Sequence, residues 1–466
     1  MKKIIFFLLL AGVLGNNAAA QDCNCKKEFD FVKNYIERNY AGFADKLQLY
    51  TRAAYSRHNA RLAAKLVYAK KTAHCFYLIS QLLEFFKDGH IQLGYHGNVE
   101  LNDSATVKKL LAKAERIKIT PVQLKALQAK KNVEGIYWFR DSSYKIALMY
   151  SPTAFRDYAA VILQSRSNMW LPGMIKFELK QRGENKFDCI FYYRDHHAQL
   201  PEYAYSKGVL NNGDWIKERV TYVPEATKEQ AVVYSKPISD STHYIRIGSF
   251  DPYFTHEIDS VFKTDSALLS RVPNLVLDLR GNGGGYDFAY SPIIPYLYTN
   301  PINTIGADVL ATKDNAEAWK ALLDNPGLPD ETKLWVKKLV AAMQAKPGSL
   351  VSVADDEALI LHKPRAYPQK IAILIDKGCA SSTEQLLLAA LQSKKVILMG
   401  QPTAGVLDYA NMRNKTLPCL PYTLSYATTR SRRVPEQAID NKGIQPSVVL
   451  NRDADWVLAA QQYMEQ

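Results

Sequence analysis

The chain has 466 residues, more than one ordinary hydrophobic core accommodates, so two or three domains are expected. Apolar residues make up 47% and charged residues 23%, which is typical of a globular protein and excludes a disordered chain. The formal net charge of +13 is spread widely and no nucleic-acid-binding motif accompanies it, so no nucleic-acid partner is expected.

Residues 1–20, MKKIIFFLLLAGVLGNNAAA, have the layout of a secretory signal peptide. Lysines precede a short apolar run, and a small-residue site predicts cleavage after Ala20, so export to the periplasm or the medium is expected. The run is too short to span a membrane comfortably, and no Leu-x-x-Cys lipidation pattern precedes Cys23. A stable membrane anchor is therefore not expected.

The cysteines predict neither a disulfide framework nor a metal site. In an exported chain of this length disulfides are optional supports, and the sequence does not choose among the pairings. Cys23-x-Cys25 has no second pair at ligand spacing, so no metal is expected. The six cysteines are Cys23, Cys25, Cys75, Cys189, Cys379 and Cys419.

Residues 21–131 are predicted to form a helical N-terminal region. Apolar residues recur there at helical spacing, and the Ala/Leu/Lys-rich segment 106–131 is expected to be two helices interrupted at Thr120-Pro121. The other predicted helices cover residues 26–40, 47–66 and 73–86.

His90 lies in a turn after the third of these helices. Gly89 is a plausible helix C-cap, and IQLGYH after it alternates like a short strand. A single histidine in such a turn is ordinarily structural. None of the other eight histidines has a comparable setting.

Residues 132–237 are predicted to be a β-rich middle region. Short aromatic and β-branched segments such as GIYWFRD, YKIALMY and KFDCIFYYR follow one another here.

Residues 238–466 alternate strands with helices, which predicts an α/β core with mainly parallel pairing. Strands are expected at YIRI, at 274–279 and at 371–375, and a polar helical insertion is expected over 314–344.

Two turns of this core contain residue types that suit catalysis. Ser381 lies where the strand IAILI turns into the helix QLLLAALQ, so its hydroxyl can project from the end of the sheet. Ser-x-x-Glu is also a capping box, so a helix N-cap is the alternative role of Ser381. In VLDLRGNGGG the glycines can leave N–H groups uncovered; the alternative is a tight packing turn. The spacing is that of neither a dinucleotide site nor a P-loop.

The C-terminal half resembles the C-terminal processing (tail-specific) serine peptidases in the order and spacing of three motifs: LVLDLRGNGGG, then GCASSTEQLLLAAL, then GQPTAG. This family includes the tricorn core protease and the interphotoreceptor retinoid-binding proteins. The resemblance covers roughly residues 244–450 and a patch around His90. It implies a crotonase-like fold and a serine endopeptidase that acts on unfolded or C-terminal segments of polypeptides without a cofactor. The carboxylate-binding glycine loop of a PDZ domain, which commonly precedes this core, is not found.

The resemblance implies Ser381 as nucleophile. The lysine base of the processing proteases would fall at Val406, which cannot accept a proton, and Lys377 and Lys394 stand at other offsets. The sequence is closer to the tricorn-like branch, which uses a histidine base preceded by an acidic residue, and this implies His90 as base.

The remaining site residues are also implied by the family motifs. Asp440, before Gly-x-x-Pro, fits best as the carboxylate that orients His90, and Glu436 is the alternative. The amides of Gly283, Gly284 and Ser382 are expected to bind the oxyanion.

Three alternatives stay open at this point. Ser382 would be the nucleophile if the alignment shifts by one residue, and Cys379 is a second candidate. The retinoid-binding relatives also allow a catalytically inactive module that binds peptides or apolar ligands.

Overall fold

The computed structural model describes residues 24–222, 231–352 and 356–466. The predicted signal peptide and Cys23 lie outside these residues. The architecture is mixed α/β, with helical, β-rich and alternating α/β regions. No helix within the described ranges is long and apolar enough to cross a membrane.

The N-terminal region is helical, as the apolar spacing predicts. The predicted helix 47–66 is two helices, because Thr51 adopts a φ of +66° and its hydroxyl accepts a hydrogen bond from the Ala54 N–H to cap the second one. A disulfide between Cys25 and Cys75 joins the first helix to the fourth. The elements are α1 Cys25–Asn39, α2 Phe43–Tyr50, α3 Arg52–Ala63, α4 Thr72–Glu84, β1 Gln92–Tyr95, α5 Ser104–Lys113 and α6 Pro121–Gln128.

The middle region is a nine-stranded antiparallel sheet that closes on itself through pairing of the strand Ile175–Gly183 with the strand Lys186–Tyr192. Closure leaves few unpaired strand edges. The elements are β2 Gly135–Phe139, β3 Tyr144–Tyr150, β4 Tyr158–Ser165, β5 Ile175–Gly183, β6 Lys186–Tyr192, β7 Ala198–Gln199, β8 Glu202–Ser206, β9 Val209–Leu210 and β10 Trp215–Lys217.

The C-terminal region begins with alternating strands and helices, and includes a helical insertion close to the predicted bounds. Its first elements are β11 Val233–Pro237, β12 Thr242–Ile247, α7 Thr255–Thr264, α8 Ser266–Leu269, β13 Asn274–Asp278, α9 Ile294–Leu297, β14 Ile302–Thr304, β15 Ala307–Leu310, α10 Lys313–Lys320, α11 Asp330–Ala345, β16 Leu350–Val351 and β17 Glu357–Leu359. They are followed by β18 Lys370–Ile375, α12 Ser382–Ala390, β19 Val396–Gly400, β20 Tyr409–Thr416, β21 Tyr422–Ser431, β22 Val448–Val449 and α13 Trp456–Met464.

A six-stranded sheet in the order β11-β12-β13-β18-β19-β22 forms the centre of this region. All its pairings are parallel except β11 with β12. Leu277 and Ile373 pack on one face, whereas Val276 and Leu374 pack on the other against α13. Burial of both faces explains why these strands are uninterrupted apolar runs in the sequence.

A second sheet connects the two ends of the chain. The long strand β21 pairs with β20 along one edge and with β15 and β1 along the other. The pairing of Gln92 with Ser425 brings the N-terminal turn around His90 beside strands that lie more than 300 residues later.

Truncation of Leu277 to alanine tests how far the protein depends on the central sheet. Leu277 is fully buried, so the cavity should lower the free energy of unfolding by about 2–5 kcal/mol. Val449→Ala is the control, because Val449 is 70% exposed on the edge strand and its loss should cost under about 0.5 kcal/mol. Urea unfolding followed by circular dichroism measures both, and equal effects would contradict this account of the core.

Candidate active site

Ser381 occupies a strained turn between β18 and α12. Its φ of +55° and ψ of −122° are rare for a residue with a side chain. The strain is held by the Ser381 N–H, which donates to the Val406 carbonyl at 3.1 Å and to Glu384 Oε2 at 3.3 Å. Ser381 is also the N-cap residue of α12, where it forms the predicted capping box with Glu384, so its surroundings hold the hydroxyl at the start of the helix.

The Ser381 hydroxyl lies against His90. Its Oγ is 3.2 Å from His90 Nε2, while His90 Nδ1 is 2.5 Å from the Tyr409 carbonyl oxygen. A carbonyl can only accept, so Nδ1 carries a proton and Nε2 of the neutral ring is left to accept from the serine hydroxyl. The imidazole is therefore in the tautomer that a general base requires.

The turn that carries His90 is fixed by a buried carboxylate. Asp88 Oδ1 accepts from the His90 N–H at 2.8 Å, and Asp88 Oδ2 accepts from the Tyr40 hydroxyl at 2.6 Å. Burial, with the charge of Asp88, holds the pKa of Tyr40 well above its usual value, so Tyr40 stays a donor.

Asp440 does not contact the imidazole that it was expected to orient. Its Oδ2 is 3.1 Å from Lys46 Nζ, and its Oδ1 accepts from the N–H groups of Leu407 and Asp408 at 3.3 and 3.1 Å. The Asp440 carboxylate therefore binds the segment that leads into Tyr409, and it is the Tyr409 carbonyl that contacts His90 Nδ1. Glu436, the alternative, is exposed.

Asp440 and Asp408 tie two segments together reciprocally. Asp408 Oδ2 accepts from the N–H groups of Ile439 and Asp440 at 2.7 and 2.8 Å, in return for the two bonds that Asp440 accepts. Burial raises the pKa of Asp440, the charge of Asp88 adds to this rise, and Lys46 opposes it.

Glu384, the acid of the predicted capping box, connects the nucleophile turn to a second loop. It is fully buried and accepts from Thr403 Oγ1 at 2.5 Å and from the N–H groups of Gly405 and Val406 at 2.8 and 2.7 Å. Val406 stands where a catalytic lysine would fall, and it contributes its backbone in place of a side chain.

The three expected oxyanion donors are not equivalent. The Gly284 N–H donates to Asn282 Oδ1 at 3.0 Å, so it is already engaged. Within the described ranges the N–H groups of Gly283 and Ser382 have no acceptor. A Cβ on Gly284 would lie 2.9 Å from Ser381 Cβ, and this close approach requires glycine.

The two alternative nucleophiles are placed less favourably. Cys379 is fully buried, its thiol donates to the Leu279 carbonyl, and burial raises its pKa to about 12. The Ser382 hydroxyl donates to the Gly285 carbonyl at 2.9 Å. Of these three candidates, Ser381 is the one that combines a strained turn with contact to a histidine.

Ser381 and His90 line a cleft of about 880 Å³. Two of the aromatic side chains that line it, Tyr286 and Phe288, are 56% and 53% exposed and contact each other edge to face. Residues of β20 and β21 also line the cleft. The part of the chain that the structure describes holds no group of three or more His, Cys, Asp or Glu side chains arranged for a metal ion.

Several contributors were not found from the sequence. Asn282 could have been, since it stands inside the glycine motif. No sequence motif marks the Tyr409 carbonyl or the buried Lys46. Any residue can supply a backbone carbonyl, and Lys46 lies in an ordinary helix.

Among solved structures, mature CPAF has a similar fold. Mature CPAF is 12% identical, with a TM-score of 0.50 over 95% of this chain and 95% of that one. A putative peptidase from Parabacteroides merdae is 12% identical (TM-score 0.42, 94% and 93% covered), and the photosystem II D1 C-terminal processing protease is 13% identical (TM-score 0.37, 92% and 93% covered).

The sequence comparisons give one family. No curated protein sequence matches the chain. The profile of peptidase family S41 matches residues 241–450, which include both glycine-rich turns, Ser381 and Asp440. The C-terminal region therefore has the sequence pattern of the serine peptidases of family S41.

Proposed function

We propose that this protein is an exported serine endopeptidase in which Ser381 attacks a peptide carbonyl and His90 is the general base. The observation that carries the proposal is the 3.2 Å contact between Ser381 Oγ and His90 Nε2 at the base of an open cleft. A binding module without catalysis would have no need of this contact at a strained turn.

The proton path follows from the tautomer. Nε2 takes the hydroxyl proton as Oγ bonds to the carbonyl carbon, and the imidazolium returns that proton to the leaving amine. Water then repeats the attack on the acyl-enzyme and frees Ser381. The Tyr409 carbonyl holds the ring through Nδ1–H and favours the positive charge that develops on it.

The carboxylates of this arrangement act on the imidazole indirectly, through backbone groups. Asp440 holds the backbone before Tyr409 and Asp88 holds the backbone of His90, so both carboxylates position the imidazole. The N–H groups of Gly283 and Ser382 are the proposed oxyanion donors, with Ser382 at the positive end of α12.

The family implies polypeptide substrates. We infer unfolded or C-terminal segments, because a cleft lined by exposed aromatic side chains suits an extended chain. A crotonase-like core for residues 238–466 agrees with the mainly parallel central sheet. Export is proposed from residues 1–20, which lie outside the described ranges.

Ser381→Ala should abolish peptidase activity. Loss of the nucleophile in a well-studied serine protease lowers kcat about a million-fold, and a comparable fall is expected here in the hydrolysis of unfolded casein. A fluorophosphonate should label Ser381, as peptide mapping would show. Ser382→Ala is the matched control, because it keeps the backbone N–H. If Ser382→Ala were the inactive variant, the neighbouring serine would be the nucleophile.

His90→Asn should lower kcat on the scale of the serine variant, since the two residues act as one unit. The double variant with Ser381→Ala should therefore lose little more than either single variant. His96→Asn is the control, because His96 directly follows β1, bonds the Thr423 hydroxyl and is not among the residues that line the cleft. Casein hydrolysis measures all of these, and additive losses would show that His90 and Ser381 act separately.

Asp440→Asn and Lys46→Met should each lower kcat about a hundredfold, because a small displacement of the Tyr409 carbonyl misaligns the base. Each variant leaves a buried partner charge uncompensated, so thermal unfolding is measured alongside kcat. The double variant should recover part of the loss. Glu436→Gln is the exposed control, and an unchanged kcat in Asp440→Asn would remove Asp440 from the site.

A further inference from the structure

Asp287 is an acid of the catalytic cleft that has no counter-ion among the described residues. It begins the short 3-10 helix Asp287–Tyr290 that follows the glycine motif, is exposed, and lines the cleft together with Ser381 and Ser382. No Lys, Arg or His side chain of the described ranges lies within ion-pair distance of it. Its carboxylate is therefore open to a group that enters the cleft.

The basic side chains of the cleft are engaged elsewhere. Three of them line it. Arg433 is 3.4 Å from Asp408, and the guanidinium of Arg413 stacks on the ring of Trp319. The third, His90, contacts the nucleophile. The cleft itself thus supplies no cation to the free acid, whereas a bound polypeptide can supply one.

Asp287 acts next to the reacting centre. It interacts with the hydroxyl of Ser382, the residue directly after the nucleophile. Loss of solvent around the carboxyl group raises the pKa of Asp287, and the interaction with Ser382 opposes this rise. Because the Ser382 N–H is a proposed oxyanion donor, an ionised Asp287 repels the negative charge that develops there. A cation held at Asp287 would offset this repulsion.

Aromatic side chains precede and follow Asp287 in the chain. Tyr286 and Phe288 line the same cleft, and each is more than half exposed. Aromatic rings attract cations and also cover methylene groups, so rings beside a free carboxylate favour a cation on an apolar stem. Lysine and arginine side chains have both features.

We propose that Asp287 binds a positively charged group of the polypeptide close to the scissile bond, and that this pairing both selects the cut site and assists the attack. This inference rests on the proposed peptidase function. Since Ser382 directly follows the nucleophile, the recognised cation should lie within about two residues of the scissile bond, or about 7 Å along an extended chain.

Two sources supply such a group. A Lys or Arg side chain would give a fixed sequence preference, whereas the free N-terminus of the substrate would give cleavage at a fixed distance from the start of the chain. Both carry the positive charge that the Asp287 carboxylate recognises, and the experiment separates them.

Wild-type protein is incubated with a mixture of synthetic peptides, and the cut sites are sequenced by mass spectrometry. Peptides with Lys or Arg within two residues of the cut should exceed otherwise identical peptides with Gln by about tenfold in kcat/KM, as for a charge-assisted hydrogen bond. Part of this gain should be in kcat, because the cation offsets repulsion of the oxyanion. If the N-terminus is the source, acetylation of the peptides should remove the preference instead.

Asp287→Asn should remove whichever preference is found. It should slow cleavage of the Lys peptides and speed cleavage of the Gln peptides, because the neutral side chain no longer repels the oxyanion. Asp287→Lys should transfer the preference to Glu peptides. Glu257→Gln is the matched control, since Glu257 is an exposed acid on α7 outside the cleft lining, and it should keep the wild-type preference.

The outcomes distinguish this inference from the peptidase proposal. If wild-type protein cuts no peptide, binding of Lys and Gln peptides to Ser381→Ala protein, measured by fluorescence anisotropy, still tests the cation site. Cleavage and binding that ignore Lys, Arg and the N-terminal amine would overturn the role of Asp287. So would a Lys preference that survives in Asp287→Asn, or a loss in that variant by the same factor for Lys and Gln peptides, which would show a structural role.

Discussion

The contact between His90 and Ser381 is the interaction on which the rest of the site depends. It joins residues separated by 291 positions, so no local preference can make it. Pairing of β1 with β21 brings the histidine turn to the late sheet, and β20, which also pairs with β21, supplies the Tyr409 carbonyl that fixes the ring. Pairing with β21 therefore places the proposed base and also the carbonyl that fixes its tautomer.

The buried carboxylates around this contact accept hydrogen bonds from backbone N–H groups and do not contact the reacting groups. Asp88, Asp440 and Asp408 each accept N–H groups, and Lys46 lies beside Asp440. Because burial of a carboxylate is costly unless its lone pairs are satisfied, each of these acids stabilises one loop conformation and disfavours others. His90 is therefore held rigidly, because the loops around it cannot move without leaving a buried charge unpaired.

The nucleophile turn uses the same principle. A backbone conformation as rare as that of Ser381 costs on the order of 1–3 kcal/mol, and it persists because Glu384 holds Ser381 and Val406 together. Gly284 adds a second constraint, since its missing side chain lets the glycine turn approach Ser381.

The sequence by itself determined the local elements: the apolar strands buried on both faces, the helix that begins after Ser381, and the glycine motif beside it. These follow from periodicity and from glycine, which act over a few residues. Even the extent of the helices was altered where Thr51 broke a predicted one. Only the tertiary structure decided that a carbonyl and not Asp440 meets Nδ1, and that the Gly284 amide is already bonded to Asn282. Side-chain partners depend on the paths of loops that are distant in sequence, and a backbone oxygen leaves no trace in the residue that carries it.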